Sequence, residues 1–453
     1  SALGSWTAPA EHFHKNYHPD FVSEDELKQK MKKAGYDGWS DFYTFVTEDA
    51  YFYPDREGTE LRPSLGAYII KERTQTRQVW VRNPYYPYVD TEGNQLPYVD
   101  KIIVHKANDP KMAATKAATG EATIAARHLQ TNSIPLYKRN EDKEDYKTLI
   151  FNRAYGSEVA IMPNLTHPDK RIREIFQNQK FRQALSLAID REEINEKVYF
   201  GQAVPRQATV LPTSDFFKEE YANSYAENDQ ARARKLLDEI GITDSDGDGT
   251  REGPDGESLN LQIQYCKIGP IDPTNVLELV IDHFSQIGLD VDIKMVSREY
   301  HDRLWMSNDG TDMHVWTLDG IVGKNLLTPG GLRFFAPLGQ MEFTQWPGWA
   351  SWNDSDGDQG IEPPQEMKDL IKTAETAMST LDSEEQAQAI DKLLQTQSNK
   401  LRMIGTVGLG PNPVIVKNKL KNVPTSGLWD AKLQYLSAFR PQQFFIPEEQ
   451  QQD

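Results

Sequence analysis

Three aspartates alternate with small residues in the segment Asp244-Ser-Asp-Gly-Asp-Gly249. Oxygen ligands at the first, third and fifth positions, with glycine at the sixth, follow the spacing of a calcium-binding EF-hand loop. On that spacing the candidate calcium ligands are Asp244, Asp246, Asp248, Thr250 and, at the twelfth position, Asp255. The residues that follow have a strand pattern rather than a helical one, and such a segment also forms ion-free surface turns. Both interpretations, a structural calcium site and a surface turn, stay open.

A carboxylate that could bind a ligand follows the predicted strand Met313-His-Val-Trp-Thr317. Asp319 lies just beyond the end of this strand, where the side chains of an α/β fold line a ligand crevice. A fixed anion at such a place suits a desolvated ammonium group, because charge-assisted hydrogen bonds are the strong ones. The alternative is that Trp316 belongs to the core and that Asp319 begins the turn at Gly320.

Three tryptophans, Trp346, Trp349 and Trp352, recur at every third residue. Aromatic rings stack on sugar faces, on peptide side chains and on cations, so the three are candidate ligand-binding residues. A packed loop explains the same spacing and is the interpretation that we favour.

A separate group of histidines, His12, His14 and His18, is close enough in sequence to ligate zinc or nickel. Here too we favour a structural role for the side chains.

Composition narrows the classes of function. The chain has 453 residues, of which 38% are hydrophobic, and it carries a formal charge of −18. This length suits two or three domains, and the acidic balance disfavours nucleic acid as a partner. No run of about 18 apolar residues predicts a transmembrane helix. Cys266 is the only cysteine, which excludes an intrachain disulfide and a cysteine-based zinc site.

The elements that must position these residues alternate between helix and strand in the middle of the chain. Leu259–Tyr265 and Leu289–Val296 have strand patterns, and the helical pattern Pro273–Gly288 lies between them. Such a βαβ unit predicts a mostly parallel sheet with helices on its faces. We therefore expect an α/β lobe at residues 154–407, inserted into a first lobe formed by residues 1–153 and 408–453.

Several segments resemble the family 5 extracellular solute-binding proteins. The strongest is Phe181-Arg-Gln-Ala-Leu-Ser-Leu-Ala-Ile-Asp-Arg-Glu-Glu-Ile194, which is similar to the family segment VRQALxxAIDRxxI. Ala231-Arg-Ala-Arg-Lys-Leu-Leu-Asp-Glu-Ile-Gly241 resembles the family helix KAKALLDEAG. Asn83-Pro-Tyr-Tyr86 and Gln95-Leu-Pro-Tyr-Val-Asp-Lys-Ile102 resemble its NPxYW and LPYID segments. Gly120-Glu121 resembles its GEID turn, although Thr123 stands in place of the acid.

The resemblance covers almost the whole chain, with its motifs in the family order. It implies an α/β fold of the periplasmic-binding-protein type (type II, family 5), in which two lobes close around a ligand. Members normally carry roughly 150 or more residues before the equivalent of residues 8–12, so an N-terminal portion is expected to be missing. The resemblance also implies a periplasmic or otherwise extracytoplasmic location, with lipid anchoring as one form of it, and the membrane permease of an ABC transporter as a partner.

In peptide-binding members of the family, a Trp-x-x-Asp segment at this place offers its carboxylate to the α-ammonium of the peptide. The resemblance therefore assigns this role to Asp319 and makes Trp316, in the same segment, a further candidate ligand-binding residue. The peptide binders continue with proline and acidic residues, however, whereas this chain continues with Gly320-Ile-Val-Gly-Lys-Asn325.

We expect a protein that captures an oligopeptide between two lobes, without enzymatic activity, and that needs no cofactor apart from the calcium considered above. An oligosaccharide is the alternative ligand. A carboxylate-dependent hydrolase is a further alternative, but the sequence contains no Gly-x-Ser-x-Gly, His-Glu-x-x-His or Gly-x-x-x-x-Gly-Lys motif.

Overall fold

The computed structural model describes residues 10–49, 63–107, 109–268, 271–339, 344–430 and 439–451. Residues 1–4, with which the chain opens, lie outside the described residues, as do residues 8 and 9 of the family-like segment 8–12. The helices are α1 Glu11–His14, α2 Glu24–Ala34, α3 Trp39–Thr44, α4 Pro110–Ala118, α5 Ile134–Asn140, α6 Lys170–Gln177, α7 Gln179–Ala188, α8 Arg191–Tyr199, α9 Glu219–Asn223, α10 Gln230–Asp238, α11 Thr274–Ser285, α12 Arg298–Ser307, α13 Pro329–Leu332, α14 Pro347–Asp354, α15 Gln365–Ser379 and α16 Ser383–Lys400.

The strands are β1 Tyr68–Arg73, β2 Arg77–Arg82, β3 Lys101–His105, β4 Ile124–Ala125, β5 Tyr146–Arg153, β6 Ala160–Pro163, β7 Val204–Pro205, β8 Asn260–Tyr265, β9 Asp290–Met295, β10 Met313–Trp316, β11 Ile404–Gly405, β12 Val407–Gly408, β13 Pro411–Lys417 and β14 Leu428–Trp429. Short 3₁₀ segments lie at Lys15–Tyr17, Thr131–Ser133, Gly323–Leu327, Pro441–Gln443 and Glu448–Gln450, and Phe45–Asp49 forms a π-helical turn. Within these residues, no helix combines the length and the apolarity that crossing a bilayer requires.

The helix boundaries follow local capping chemistry. The side chain of Asp190 accepts a hydrogen bond from the backbone N–H of Glu193 at the start of α8. The helix ends at Phe200 and Gly201, which have φ values of 57° and 71°. The carboxylate of Asp382 likewise accepts from two backbone N–H groups at the start of α16. These side chains satisfy donors that the first turn of a helix cannot satisfy internally.

The largest sheet has five strands in the order β11-β6-β10-β8-β9. Strand β8 pairs in parallel with β9 and with β10, whereas β6 pairs antiparallel with β10 and with β11. The predicted βαβ unit is present as β8, α11 and β9. The sheet is mixed, because β6 alone runs against the other four strands, which share one direction.

A second sheet has four strands in the order β14-β5-β13-β4. Strand β13 pairs antiparallel with β5 along seven residues, from Pro411 opposite Asn152 to Lys417 opposite Tyr146. Strands β1, β2 and β3 form a separate antiparallel sheet, and β7 pairs with β12. The helices α1 to α3 pack on one another around Phe13, Phe42 and Phe45.

The hydrophobic cores divide along the sequence. The buried residues of the largest core all lie between Ala154 and Val407 and surround the five-stranded sheet. Two smaller cores lie on the four-stranded sheet. One draws on residues from Ala114 to Tyr146 together with Ile415, and the other on residues from Ala126 to Phe444. The expected division of the chain into two lobes at 153/154 and 407/408 stays a prediction.

Candidate functional site

Two chain segments pass side by side from one sheet to the other, and we call them the crossing segments (residues 153–158 and 407–410). Backbone hydrogen bonds of 2.8 Å from Arg153 N to Gly410 O and of 3.0 Å from Leu409 N to Tyr155 O join them. A β-carbon on Gly408 would lie only 2.8 Å from the carbonyl oxygen of Gly156. Glycine therefore permits the close approach of the two backbones.

A buried ion pair joins the ends of the first crossing segment. The Nε atom of Arg153 donates to a carboxylate oxygen of Glu158 at 2.7 Å, and both side chains are almost fully buried. The other oxygen of Glu158 accepts from the backbone N–H of Gly410 at 2.7 Å. Burial lowers the pKa of Arg153, but the Glu158 carboxylate outweighs that effect and the net shift is upward. The guanidinium of Arg153 therefore stays charged.

Asp319 follows β10 and lies beside the crossing segments. Leu318 exchanges two backbone hydrogen bonds of 2.9 Å with the first crossing segment, one with Gly156 and one with Ser157. Burial, followed by the nearby carboxylates of Asp319 and Glu158, raises the pKa of Tyr155. The Asp319 side chain is 29% exposed, and its carboxylate lies 3.5 Å from an Nη atom of Arg333. The carboxylate thus already has a cationic neighbour.

Trp316 belongs to the core of the five-stranded sheet. Its side chain is buried, the guanidinium of Arg298 lies over its ring at 4.3 Å, and the ring of His301 is stacked on it. Packing of this kind leaves little of the ring for a ligand.

The three further tryptophans do not form one continuous surface. Trp346 and Trp349 are 1% and 6% exposed and are part of the largest core. Trp352 on α14 is half-buried, with the ammonium of Lys368 over its ring at 5.1 Å. The structure thus brings two of the three rings into the core and leaves Trp352 as the more accessible one.

The acidic loop brings four carboxylates together. One ligand atom from each of Asp244, Asp246, Asp248 and Glu252 lies within 4.8 Å of the others. Three of these residues are the expected ones, and Glu252 joins them. The hydrogen bonds that Glu252 accepts from Ser245 lower its pKa, so it is ionised at neutral pH.

The remaining two residues of the predicted calcium set have other contacts. Asp255 forms an ion pair of 2.7 Å with Arg171 and is not in the group of four. The backbone N–H of Thr250 donates to a carboxylate oxygen of Asp248 at 2.7 Å. The twelfth position of the EF-hand spacing therefore does not reach the cluster, because the chain leads from Glu252 into a tight turn at Gly253–Gly256.

Two of the three histidines take part in aromatic packing near the first helices. His14 packs edge-on against Phe13, His18 packs edge-on against Trp39, and His12 is exposed. Among the described residues, the acidic loop is the one group of three or more metal-ligating side chains.

The ion pair between Arg153 and Glu158 was not predicted from the sequence. Both residues occur at the expected boundary of the second lobe, and two opposite charges there bracket the uncharged residues 154–157. That pattern is the signal that could have indicated a buried pair.

Known proteins are similar to this chain in sequence. Residues 20–330 match the model of the family described as "Bacterial extracellular solute-binding proteins, family 5 Middle". Among curated relatives, the periplasmic alpha-galactoside-binding protein of Rhizobium meliloti (strain 1021) is 24% identical over 80% of this chain. The oligopeptide-binding protein OppA of Lactococcus lactis subsp. lactis (strain IL1403) is 25% identical over 53% of this chain. This chain spans 52% of the first relative's length and 38% of the second's.

Solved structures share the fold. A structure of the oligopeptide-binding protein OppA aligns with a TM-score of 0.71 and 30% identity over 97% of this chain and 70% of that chain. The periplasmic binding protein MelB from Agrobacterium fabrum C58, in complex with stachyose, aligns with a TM-score of 0.65 and 19% identity over 98% of this chain and 63% of that chain. On the family match and the OppA alignment together, this chain belongs to the bacterial extracellular solute-binding proteins of family 5.

Proposed function

We propose that this chain is the ligand-capturing component of an ABC importer and that it acts outside the cytoplasm. The named relatives are binding proteins rather than enzymes, and one of them, from Deinococcus radiodurans, is named a probable ABC transporter-binding protein. On this proposal the ligand is held between the two sheets, beside the crossing segments. It is then delivered chemically unchanged to a membrane permease.

The pairing of Asp319 with Arg333 carries the proposal for the ligand class. A peptide ammonium would have to compete with a guanidinium that lies 3.5 Å from the Asp319 carboxylate and is largely buried. A neutral sugar needs no such exchange, because its hydroxyl groups can accept from Arg333 and donate to Asp319 together. An oligosaccharide is therefore the first candidate ligand. The relative that binds alpha-galactosides and the stachyose complex of MelB support it.

An oligopeptide is the second candidate. The OppA structure, which is 30% identical, supports it. On this alternative, Arg333 swings away from Asp319 when the peptide ammonium arrives.

The test measures ligand-induced stabilisation of the 453-residue chain by stachyose and, separately, by tetra-alanine. A ligand at 100 times its dissociation constant stabilises the folded state by about 2.7 kcal/mol, which raises the melting temperature. We expect a rise with stachyose. Mass spectrometry of the recovered ligand should show intact stachyose, whereas cleavage products would support the hydrolase alternative. A chain stabilised by neither ligand would contradict the proposed function.

A further inference from the structure

An open groove runs along one edge of the five-stranded sheet, between helix α11 and strand β9. It has a volume of about 370 Å³, within the range of about 300–1,000 Å³ that is usual for binding clefts. Helix α11 lines it with residues that share one helix face, namely Glu278, Ile281, Asp282 and Ser285. The other side is formed by Leu289, Asp290 and Val291.

Strand β9 has a free edge beside this groove. It is the last strand of the sheet, and β8 is its one neighbouring strand among the described residues. The backbone N–H of Val296 donates to Tyr265 O on β8 at 2.9 Å. Because alternate residues of a strand direct their N–H and C=O groups to opposite edges, residues 291, 293 and 295 direct theirs away from β8. An extended segment can pair with these groups as a further strand.

The floor of the groove is apolar. Leu289 and Val291 are buried in it, and Ile281 of α11 is half-buried beside them. Farther along the same strand, Met295 is 56% exposed. Side chains with long aliphatic stems can pack along such a floor while their charged ends stay in water.

The rim of the groove is acidic. Glu278, Asp282 and Asp290 are all exposed, and within the described part of the chain none of them is in an ion pair. Carboxylates in this state are available to cationic groups that enter the groove.

The cations near the rim are paired with other residues. Lys197, which is close enough to Asp282 to interact with it, forms an ion pair of 2.5 Å with Glu193. Arg251, whose Nε donates to Ile287 O, forms one of 2.6 Å with Asp238. The rim therefore keeps its negative charge.

The spread of these carboxylates indicates which kind of cation suits them. Among the described residues, the acidic loop is the one group of three or more whose ligand atoms all lie within 4.8 Å of one another. The three rim carboxylates are thus too far apart to hold one metal ion together, but they can face separate cations on an extended chain. Their like charges oppose pairing of β9 with the same strand of a second copy.

We propose that this edge is a docking site for an extended segment of another polypeptide, which adds to β9 as a strand and carries lysine or arginine at every second position. The period of two residues brings these side chains to one face of the added strand. Their stems then lie on the apolar floor and their charged ends reach the acidic rim. The inference goes beyond the proposed function and does not depend on the ligand.

The probe is a fluorescently labelled heptapeptide that alternates lysine with valine and has blocked ends, so that it carries no terminal ammonium group. Its binding to the 453-residue chain is measured by fluorescence anisotropy. We expect saturable binding that weakens as the NaCl concentration rises, because exposed charges are screened by salt. The same peptide with glutamate in place of lysine should not bind.

Substitutions on the rim test the charge contacts. Glu278→Gln and Asp282→Asn should each weaken binding about threefold, and the double variant about tenfold, because exposed ion pairs contribute modestly. Glu375→Gln, which neutralises an exposed glutamate within α15, is the matched control. It should bind as the wild type does.

A modified peptide tests the addition as a strand. N-methylation of the central lysine and of the valine after it places one methyl group toward β9 in either strand direction. The charges are unchanged, yet the loss of backbone hydrogen bonds should weaken binding about tenfold.

Three results would overturn the proposal. The first is equal binding of the lysine peptide by the wild type and the double variant, or equal binding of the parent and N-methylated peptides. The second is displacement of the peptide by excess tetra-alanine or weaker binding by Asp319→Asn, since either would place the peptide in the ligand site. The third is a dimer, seen by light scattering, that the peptide dissociates, which would assign the edge to a second copy. None of these results changes the outcome of the stachyose test.

Discussion

At the scale of single residues, the contact between Asp319 and Arg333 is the observation on which the proposed ligand class depends. The sequence predicted a carboxylate beyond the end of β10, and the structure has it there. The cation that faces it belongs to Arg333, which directly follows helix α13 and is separated from Asp319 by residues 320–332. No pattern in the sequence links the two residues, because their approach depends on how that intervening segment folds back.

The substitution Asp319→Asn tests whether this carboxylate binds the ligand. For a sugar ligand, asparagine keeps much of the hydrogen bonding, and we expect a loss of about 1 kcal/mol in binding free energy. For a peptide with a free amino terminus, the buried ammonium loses its counter-charge, and we expect a loss of about 2–5 kcal/mol. Calorimetric titration with stachyose and with tetra-alanine distinguishes the two.

The control for this variant is Asp309→Asn, an exposed aspartate just before β10 that should bind both ligands as the wild type does. N-acetylation of the peptide should harm the wild type about as much as the substitution does, and should add little harm in the variant. Binding that is unchanged by Asp319→Asn would show that this carboxylate serves Arg333 and the turn rather than the ligand.

At the scale of elements, what could be predicted was what depends on neighbours in sequence. Asp190, Asp229 and Asp382 cap helices α8, α10 and α16, and such caps can be predicted because a cap needs only the next few residues. Strand β6 was not predicted. Its four buried residues carry no alternation to indicate a strand, and its pairing with β10 joins distant parts of the chain. Because β6 was not predicted, the antiparallel pairs that make the sheet mixed were not predicted either.

The acidic loop was likewise predicted only in part, because the position of its last carboxylate depends on how the turn folds. The local alternation of Asp244, Asp246 and Asp248 predicted three carboxylates of the cluster, and the fold of the turn adds Glu252 to them in place of the predicted Asp255. If the loop binds calcium at the millimolar affinity usual for extracellular modules, 10 mM Ca²⁺ should stabilise the chain by about 1–2 kcal/mol. Asp246→Ala and Glu252→Ala should each abolish the rise in melting temperature.

Asp255→Ala is the informative control for the calcium prediction. The structure places Asp255 in an ion pair with Arg171, so this variant should keep the calcium response, whereas the EF-hand spacing predicts that it loses it. Calorimetry that detects no calcium binding at millimolar concentration would show that the loop is an ion-free turn.

At the scale of the whole molecule, the separate cores predict separate resistance to proteolysis. All the buried members of the largest core lie between Ala154 and Val407, whereas strand β3 is exposed along its whole length. Limited digestion should therefore cut the region before residue 153 first and leave a fragment close to 154–407. Mass spectrometry of the fragments over time measures this. Early cleavage inside the five-stranded sheet would contradict the expected division.

The crossing segments also set how the two sheet regions can move. Two backbones bonded side by side form a narrow ribbon, which resists stretching along its length and shear within its plane. It yields to bending about the axis that lies across it. Bending of this ribbon is therefore the motion that the joined backbones oppose least. If the chain closes around a ligand as proposed, the closing rotation should run about that axis, and it should cost less entropy than the docking of two unconnected bodies.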